Sequence, residues 1–193
     1  MTAEISQDVF IGRQPILDRK RQLYAYELLF RTGSANHASV TDNVAATAAV
    51  LNNVFTEIGL ERVLGPCLGF INVDADFLAS DVLELLPAEK IVLEVLETVR
   101  ITPQVAERCA ELRSRGFQIA LDDVVDIEEQ HKIVLPHVDI VKIDIQAMPA
   151  DRLARLAREL RPRGVRLLAE KVDSEEQATH CANLGFDLFQ GYF

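Results

Sequence analysis

Two short stretches of β-branched, aromatic and aliphatic residues, 9–17 and 23–30, flank the polar run Asp18-Arg19-Lys20-Arg21, a pattern that predicts an antiparallel hairpin over about 8–31. From 39 to 58 the alanines, valines and leucines recur at helical spacing. Ser39 or Thr41 supplies an N-cap and Gly59 a stop, so a first helix is expected there. Beyond it, apolar runs at 67–73, 91–95, 117–121, 138–143, 165–169 and 187–189 alternate with helical stretches. Thr102-Pro103 opens one helix as cap and first residue and Gly116 closes it; Ser174-Glu175-Glu176-Gln177 has capping-box spacing and Gly185 ends that helix. Near-continuous apolar strands separated by helices predict a parallel sheet covered on its outer face, either a closed barrel or a doubly wound open sheet.

The polar residues decide between the two. Each apolar run carries a charged or amide residue at or near its C-terminal end: Glu27, Asn72, Glu94, Asp122 with Asp123, Lys142 with Asp144, Glu170, and Gln190. In a barrel those ends converge on one mouth, whereas an open sheet spreads them along a line. A single acid just past a strand is ordinarily a helix cap or a solvated loop residue; the repetition at strand after strand is what points to a site. Crowded carboxylates repel unless protons or divalent cations neutralise them, so the barrel reading carries a cation requirement with it. Glu97 stands near Glu94 as a supporting residue, and Glu128 and Glu129 belong to solvated faces.

Composition narrows the function classes. The 193 residues are 49% hydrophobic and 26% charged, enough for one sizeable core, and a single domain over 1–193 is expected. Twenty Lys and Arg against 30 Asp and Glu give a net charge of -10, which argues against nucleic-acid polymers as partners. A small anionic ligand needs metal cations or a local Arg or Lys to reverse the field. No apolar run nears the roughly 20 residues of a membrane span, and the N-terminus lacks a secretory pattern, so a cytoplasmic protein with no membrane partner is expected. Cys67, Cys109 and Cys181 lack disulfide or zinc-site spacing, and His37, His131, His137 and His180 show no HExxH pattern. No nucleophile elbow or Gly-rich phosphate loop occurs. Arg152, Arg155 and Arg158 lie opposite Leu153, Leu156 and Leu160 on an amphipathic helix.

Tyr26-Glu27-Leu28-Leu29-Phe30-Arg31 resembles the signature of the EAL domain. Phe70-Ile71-Asn72, Leu93-Glu94-Val95, Leu121-Asp122-Asp123, Val141-Lys142-Ile143-Asp144, Ala169-Glu170 and Phe189-Gln190-Gly191-Tyr192-Phe193 are similar to its other motifs, in order. The opening Ile11-Gly12-Arg13-Gln14-Pro15-Ile16-Leu17-Asp18 resembles a subgroup in which the EAL domain precedes an HDOD domain. The resemblance implies an α/β fold, a TIM-like barrel in which one strand runs against the others, binding cyclic di-GMP at the acidic mouth; active members hydrolyse it to linear pGpG. It also implies a chain cut before its last barrel helix and a downstream HDOD domain, with a homodimer as a further expectation. By position, Glu27, Asn72, Glu94 and Asp122 hold a first Mg2+ or Mn2+ and Asp123 a second. The resemblance places Lys142 beside the attacking water, makes Glu170 the base or water-orienting group, and has Gln190 fix that network. Arg31 and Asp144 are placed as ligand-binding residues.

Departures from the family pattern shape the functional expectation. Leu28 stands where the family has Ala, on the strand face opposite Glu27, so outer packing is affected more than ligation. The glycine-containing loop after the Asp pair is here Asp123-Val124-Val125-Asp126-Ile127, without glycine, and Lys171 replaces a glycine beside Glu170. The interval from Lys142 to Glu170 is compact. Because the rewritten loop helps position the second metal and the dimer contact in active relatives, the favoured expectation is a ligand-binding or interaction module that keeps the pocket's acids and has lost turnover. The alternative is an active metal-dependent cyclic di-GMP phosphodiesterase. An unrelated metal-dependent barrel enzyme requires the whole ordered motif set to be coincidence.

Overall fold

A computed structural model of the protein describes residues 9–32 and 59–193. The first helix expected over 39–58 lies outside the described residues, as does His37. Strands β1 (Val9–Asp18) and β2 (Leu23–Thr32) form the expected hairpin, paired from Val9 with Thr32 to Leu17 with Leu23. Asp18 organises the turn: its carboxylate accepts from the backbone N–H groups of Lys20 (2.7 Å) and Gln22 (2.9 Å), while Arg21 takes a left-handed φ of 62°.

Strands and helices then alternate: α1 (Leu60–Leu64), β3 (Leu68–Val73), α2 (Ala75–Ala79), β4 (Ile91–Val95), α3 (Pro103–Ser114), β5 (Gln118–Leu121), α4 (Glu129–Val134), β6 (Ile140–Asp144), α5 (Ala150–Leu160), β7 (Arg166–Val172), α6 (Glu175–Leu184) and β8 (Leu188–Gly191). β2 to β8 pair in parallel in chain order, and β1 closes the barrel, antiparallel to both β2 and β8. The fold is therefore the expected α/β barrel with one reversed strand. No described helix is long and apolar enough to cross a membrane.

Local sequence explains the helix ends. Thr102 Oγ1 accepts from the Val105 N–H at 3.3 Å, Pro103 fills the first turn where its missing N–H is not needed, and Gly116 follows the helix at φ 104°. Ser174 Oγ likewise accepts from the Gln177 N–H at 3.2 Å, and Gly185 caps α6 at φ 99°. The capping-box expectation for α6 needs correction: the Gln177 side chain accepts from the Asp173 N–H at 3.0 Å, one residue outside the cap. A reciprocal box forms instead at α4, between Glu128 and His131. Helix α5 buries Leu153, Leu156, Ala157 and Leu160, as its amphipathic pattern predicts, and Arg152 reaches Asp126 at 3.2 Å.

The core has two parts. Outside the barrel, helices pack against the outward strand residues, Leu28 among them at 1% exposure. Inside it, one buried residue from each strand fills the lumen: Ile16, Ala25, Phe70, Val92, Ala120, Ile140, Leu168 and Leu188. This plug is a packed floor and not a pore.

A candidate active site at the barrel mouth

The strand period of two turns that apolar floor into a rule for the site. Two residues further along β2 to β8, on the same face as the floor residue of each strand, stand Glu27, Asn72, Glu94, Asp122, Lys142, Glu170 and Gln190. The seven residues at strand ends that the sequence picked out thus form one polar tier above the floor. β1 runs the other way, so its mouth-facing residue lies two before Ile16. That residue is Gln14, paired in register with Glu27 and half-buried. The sequence reading missed it: the turn pairs Leu17 with Leu23, a register that would set Gln14 opposite Tyr26, and the irregularity between Ile16 and Leu17 shifts it to Glu27.

Lys142 is the hub of this tier. Its side chain is 1% exposed, and its ammonium reaches Glu170 Oε1 at 2.9 Å, Asp122 Oδ1 at 3.2 Å and Glu27 Oε2 at 3.6 Å, with Glu94 Oε1 in direct hydrogen-bond contact. Burial alone would pull the lysine down. The surrounding carboxylates, Glu94 foremost, outweigh burial and push it well above its usual range, so Lys142 stays charged. One ammonium cannot balance four carboxylates, and the excess appears on the acids. Burial pushes Glu94 well above the usual carboxylate range against the opposing pull of Lys142, with Glu27 and Asp122 adding repulsion. Glu170 is pushed up to about 7, by burial first and then by Asp122 and Glu27, again against Lys142. Gln190 Nε2 donates to Glu27 Oε2 at 2.6 Å and holds that carboxylate in place.

Two buried oxygens in this tier, Glu94 Oε2 and Gln190 Oε1, have no hydrogen-bond partner among the described residues. Buried acceptors in folded proteins are nearly always satisfied, so these mark room for a donor or a cation. Glu94 Oε2, the Asn72 amide and the carboxylates of Glu27 and Asp122, all on the same tier, are hard oxygen donors of the kind that suits Mg2+ or Mn2+. Among the described residues, no three Asp, Glu, His or Cys side chains are placed to hold an ion by themselves. The carboxylates close around the Lys142 ammonium, and an incoming cation would share them with it.

The remaining candidates lie around this tier. Asp123 follows Asp122 directly but is exposed, with a left-handed φ of 43°, and the loop is tied down where Val124, itself buried, donates its N–H to the Lys142 carbonyl at 3.0 Å. Asp144 stands above Lys142 on the same face of β6 and bonds to Lys171. Burial would raise the Asp144 carboxyl, but the Lys171 ammonium and the N–H groups of Gln146 and Ala147, at 2.8 and 3.2 Å, hold it below its usual range. Arg31 pairs with Phe10 through the β1–β2 ladder, and its side chain lies outside the described residues. Glu97 is exposed.

Comparison with known proteins agrees with this fold. The chain matches the EAL domain family over residues 5–193. It is 35% identical over 189 residues to the uncharacterized protein YuxH of Bacillus subtilis, covering 96% of this chain and 46% of that protein. It is 38% identical over 187 residues to the cyclic di-GMP phosphodiesterase CdgJ of Vibrio cholerae, covering 95% of this chain and 43% of that protein. The chain thus spans less than half the length of either relative. Among solved structures, the Bacillus subtilis YkuI protein, with an EAL domain and in complex with substrate c-di-GMP and calcium, superposes with a TM-score of 0.77 at 25% identity, covering 96% of this chain and 54% of that one. A standalone EAL protein from Vibrio cholerae in its c-di-GMP-bound form superposes with a TM-score of 0.68 at 21% identity, covering 98% and 92%, and shares the fold.

Proposed function

The chain belongs to the EAL domain family, and from that premise we propose that its barrel mouth binds cyclic di-GMP with divalent cations and hydrolyses one of the ligand's two phosphodiester bonds, giving pGpG. The observation that carries this reading is the complete polar tier, in which Glu27, Asn72, Glu94, Asp122, Lys142, Glu170 and Gln190 occupy equivalent positions above the apolar floor. Glu27, Asn72, Glu94 and Asp122 would hold Mg2+ or Mn2+, and Asp123 stands where the family resemblance places a second ion. Bound there, such ions would neutralise the phosphates and lower the pKa of a bound water.

The chain's own groups do the rest. Glu170, near 7, is poised to take a proton from the attacking water at neutral pH. Lys142, 2.9 Å from it, keeps the carboxylate oriented and would supply positive charge beside the attacking water. Gln190 fixes Glu27. By the family resemblance, Arg31 and Asp144 would contact the ligand.

A second reading, the binding or interaction module without turnover, is favoured by two residues. Asp123 and Lys171 both occupy left-handed backbone conformations without glycine, and Lys171 ties up Asp144. Incubation with cyclic di-GMP and Mg2+ or Mn2+, followed by chromatography for pGpG and parallel calorimetry, separates the two. Turnover abolished by Glu170→Ala supports the hydrolase; binding without turnover supports the module; neither refutes both. The downstream HDOD domain and the homodimer belong to the same proposal, and sequencing of the full gene with light scattering of its product tests them.

A further inference from the structure

Lys171 is the feature of the mouth that this reading leaves unused. Its φ of 54° puts a long side chain in a conformation that favours glycine, at the point where the β7–β8 register shifts between Ala169 and Val172. The surroundings hold it there. Gln146 Nε2 donates to the Lys171 carbonyl at 2.8 Å and to Asp173 Oδ2 at 3.0 Å, and the Tyr192 N–H donates to the Val172 carbonyl at 2.8 Å. A strained conformation kept on a non-glycine residue invites a functional reading of its side chain.

That side chain, 64% exposed, reaches back over the mouth to hydrogen-bond the nearly buried Asp144 carboxylate. The bond to Asp144 holds the ammonium above its usual range, and the charges of Asp123 and Glu170 lie close enough to add to the effect. The inner acids Glu27, Glu94, Asp122 and Glu170 share Lys142; of the outer acids, Asp144 bonds Lys171 and Asp123 lies near enough for its charge to act on that ammonium.

We propose that Lys171 is a built-in cation of the outer mouth, so that this protein takes up one divalent ion, at the inner donor set, and not two. Lys171 acts as a positioning residue and determines metal stoichiometry. The inference rests on the mouth being a cation-dependent pocket, and it concerns ion uptake, which is measured apart from ligand turnover. An ammonium bonded to Asp144, with Asp123 close enough for its charge to be felt, opposes a second divalent ion there by direct repulsion.

The test is Mn2+ uptake by electron paramagnetic resonance and calorimetry on the purified protein without nucleotide, for the wild type, Lys171→Gly, Lys171→Gln and Lys171→Arg. The expected counts are one ion per chain for the wild type and Lys171→Arg, and two for Lys171→Gly and Lys171→Gln. Lys171→Gly also relieves the left-handed strain, so a raised melting temperature shows that it folds. Two ions or none in the wild type overturns the proposal, as does one ion in both charge-removing variants. A second ion in Lys171→Gly alone overturns it too, since backbone freedom and not charge would then be responsible. Calorimetry with cyclic di-GMP is run separately: the expected ion counts without nucleotide binding would sink the ligand reading and leave this one standing.

Discussion

Replacing Lys142 with methionine tests the charge balance on which the whole mouth depends. Methionine keeps the length and bulk of the side chain and removes only the ammonium, leaving Glu27, Glu94, Asp122 and Glu170 facing one another across the top of the floor. Removing one partner of a buried ion pair typically costs about 3–5 kcal/mol, because the charge left behind is uncompensated. Here four acids lose their common partner, so the upper half of that range is expected at about pH 8. For a chain of this size each kcal/mol moves the melting temperature by roughly 2–4 °C, giving a fall on the order of 10–20 °C.

The loss is conditional on ionisation. Glu94 and Glu170 already hold protons more readily than ordinary carboxylates. Without the ammonium that preference strengthens, so much of the lost stability returns at about pH 5, where protonation relieves the repulsion. Millimolar Mn2+ at about pH 8 restores stability by the same logic, binding the folded form alone. Calorimetric melts of the wild type and Lys142→Met at both pH values, with and without Mn2+, check this. A melting temperature within about 2 °C of the wild type at about pH 8, or an equal loss at both pH values, would refute the reasoning.

Glu170→Gln probes the same cluster from the acid side. The folded-state carboxyl titrates near 7 against 4.5 when unperturbed, so the folded state binds that proton more tightly. The contribution of Glu170 to wild-type stability therefore falls by about 3 kcal/mol as pH rises from about 4.5 to about 7, then levels off. Urea melts should show the glutamine variant with a fall smaller by that amount, more stable than the wild type at about pH 8 and equal to it near pH 4.5. Gly191→Ala places a Cβ 1.7 Å from the Val172 carbonyl oxygen, which forces β8 to move. Calorimetry is expected to show weakened cyclic di-GMP binding together with a lower melting temperature, because Gln190 shifts away from Glu27. Thr102→Ala removes the α3 cap and costs about 1 kcal/mol, seen as a small fall in melting temperature with ligand binding unchanged.

The polar tier was legible in the sequence because it follows from strand alternation. Each strand in β2 to β8 carries a buried apolar residue two positions before a polar one, a pattern that needs no knowledge of how the barrel closes. Gln14 escaped because the same rule runs backward on the reversed strand, where the mouth lies toward the chain's start. The central position of Lys142 was not legible either: a lysine at the end of one strand looks like any other charged residue until closure points four carboxylates at it. The Lys171–Asp144 bond depends on a left-handed backbone at a non-glycine position, which composition does not reveal. Asp122 and Asp123 read as a pair in sequence, but adjacent residues leave a strand in different directions, and only the first joins the tier.

The closing seam has a consequence for how the protein is made. β1 meets β8 through Leu17 with Phe189 and Asp18 with Leu188, so the first and eighth staves of the barrel lie far apart in sequence, with the other six strands between them. A nascent chain emerging from the ribosome can zip up its hairpin at once, yet it has no lumen until residues 188–191 arrive. Until then its acids hang on an open, curling sheet with free edges. Long-range closure of this kind makes folding slow, and the acids are gathered into one mouth only once β8 has docked against β1.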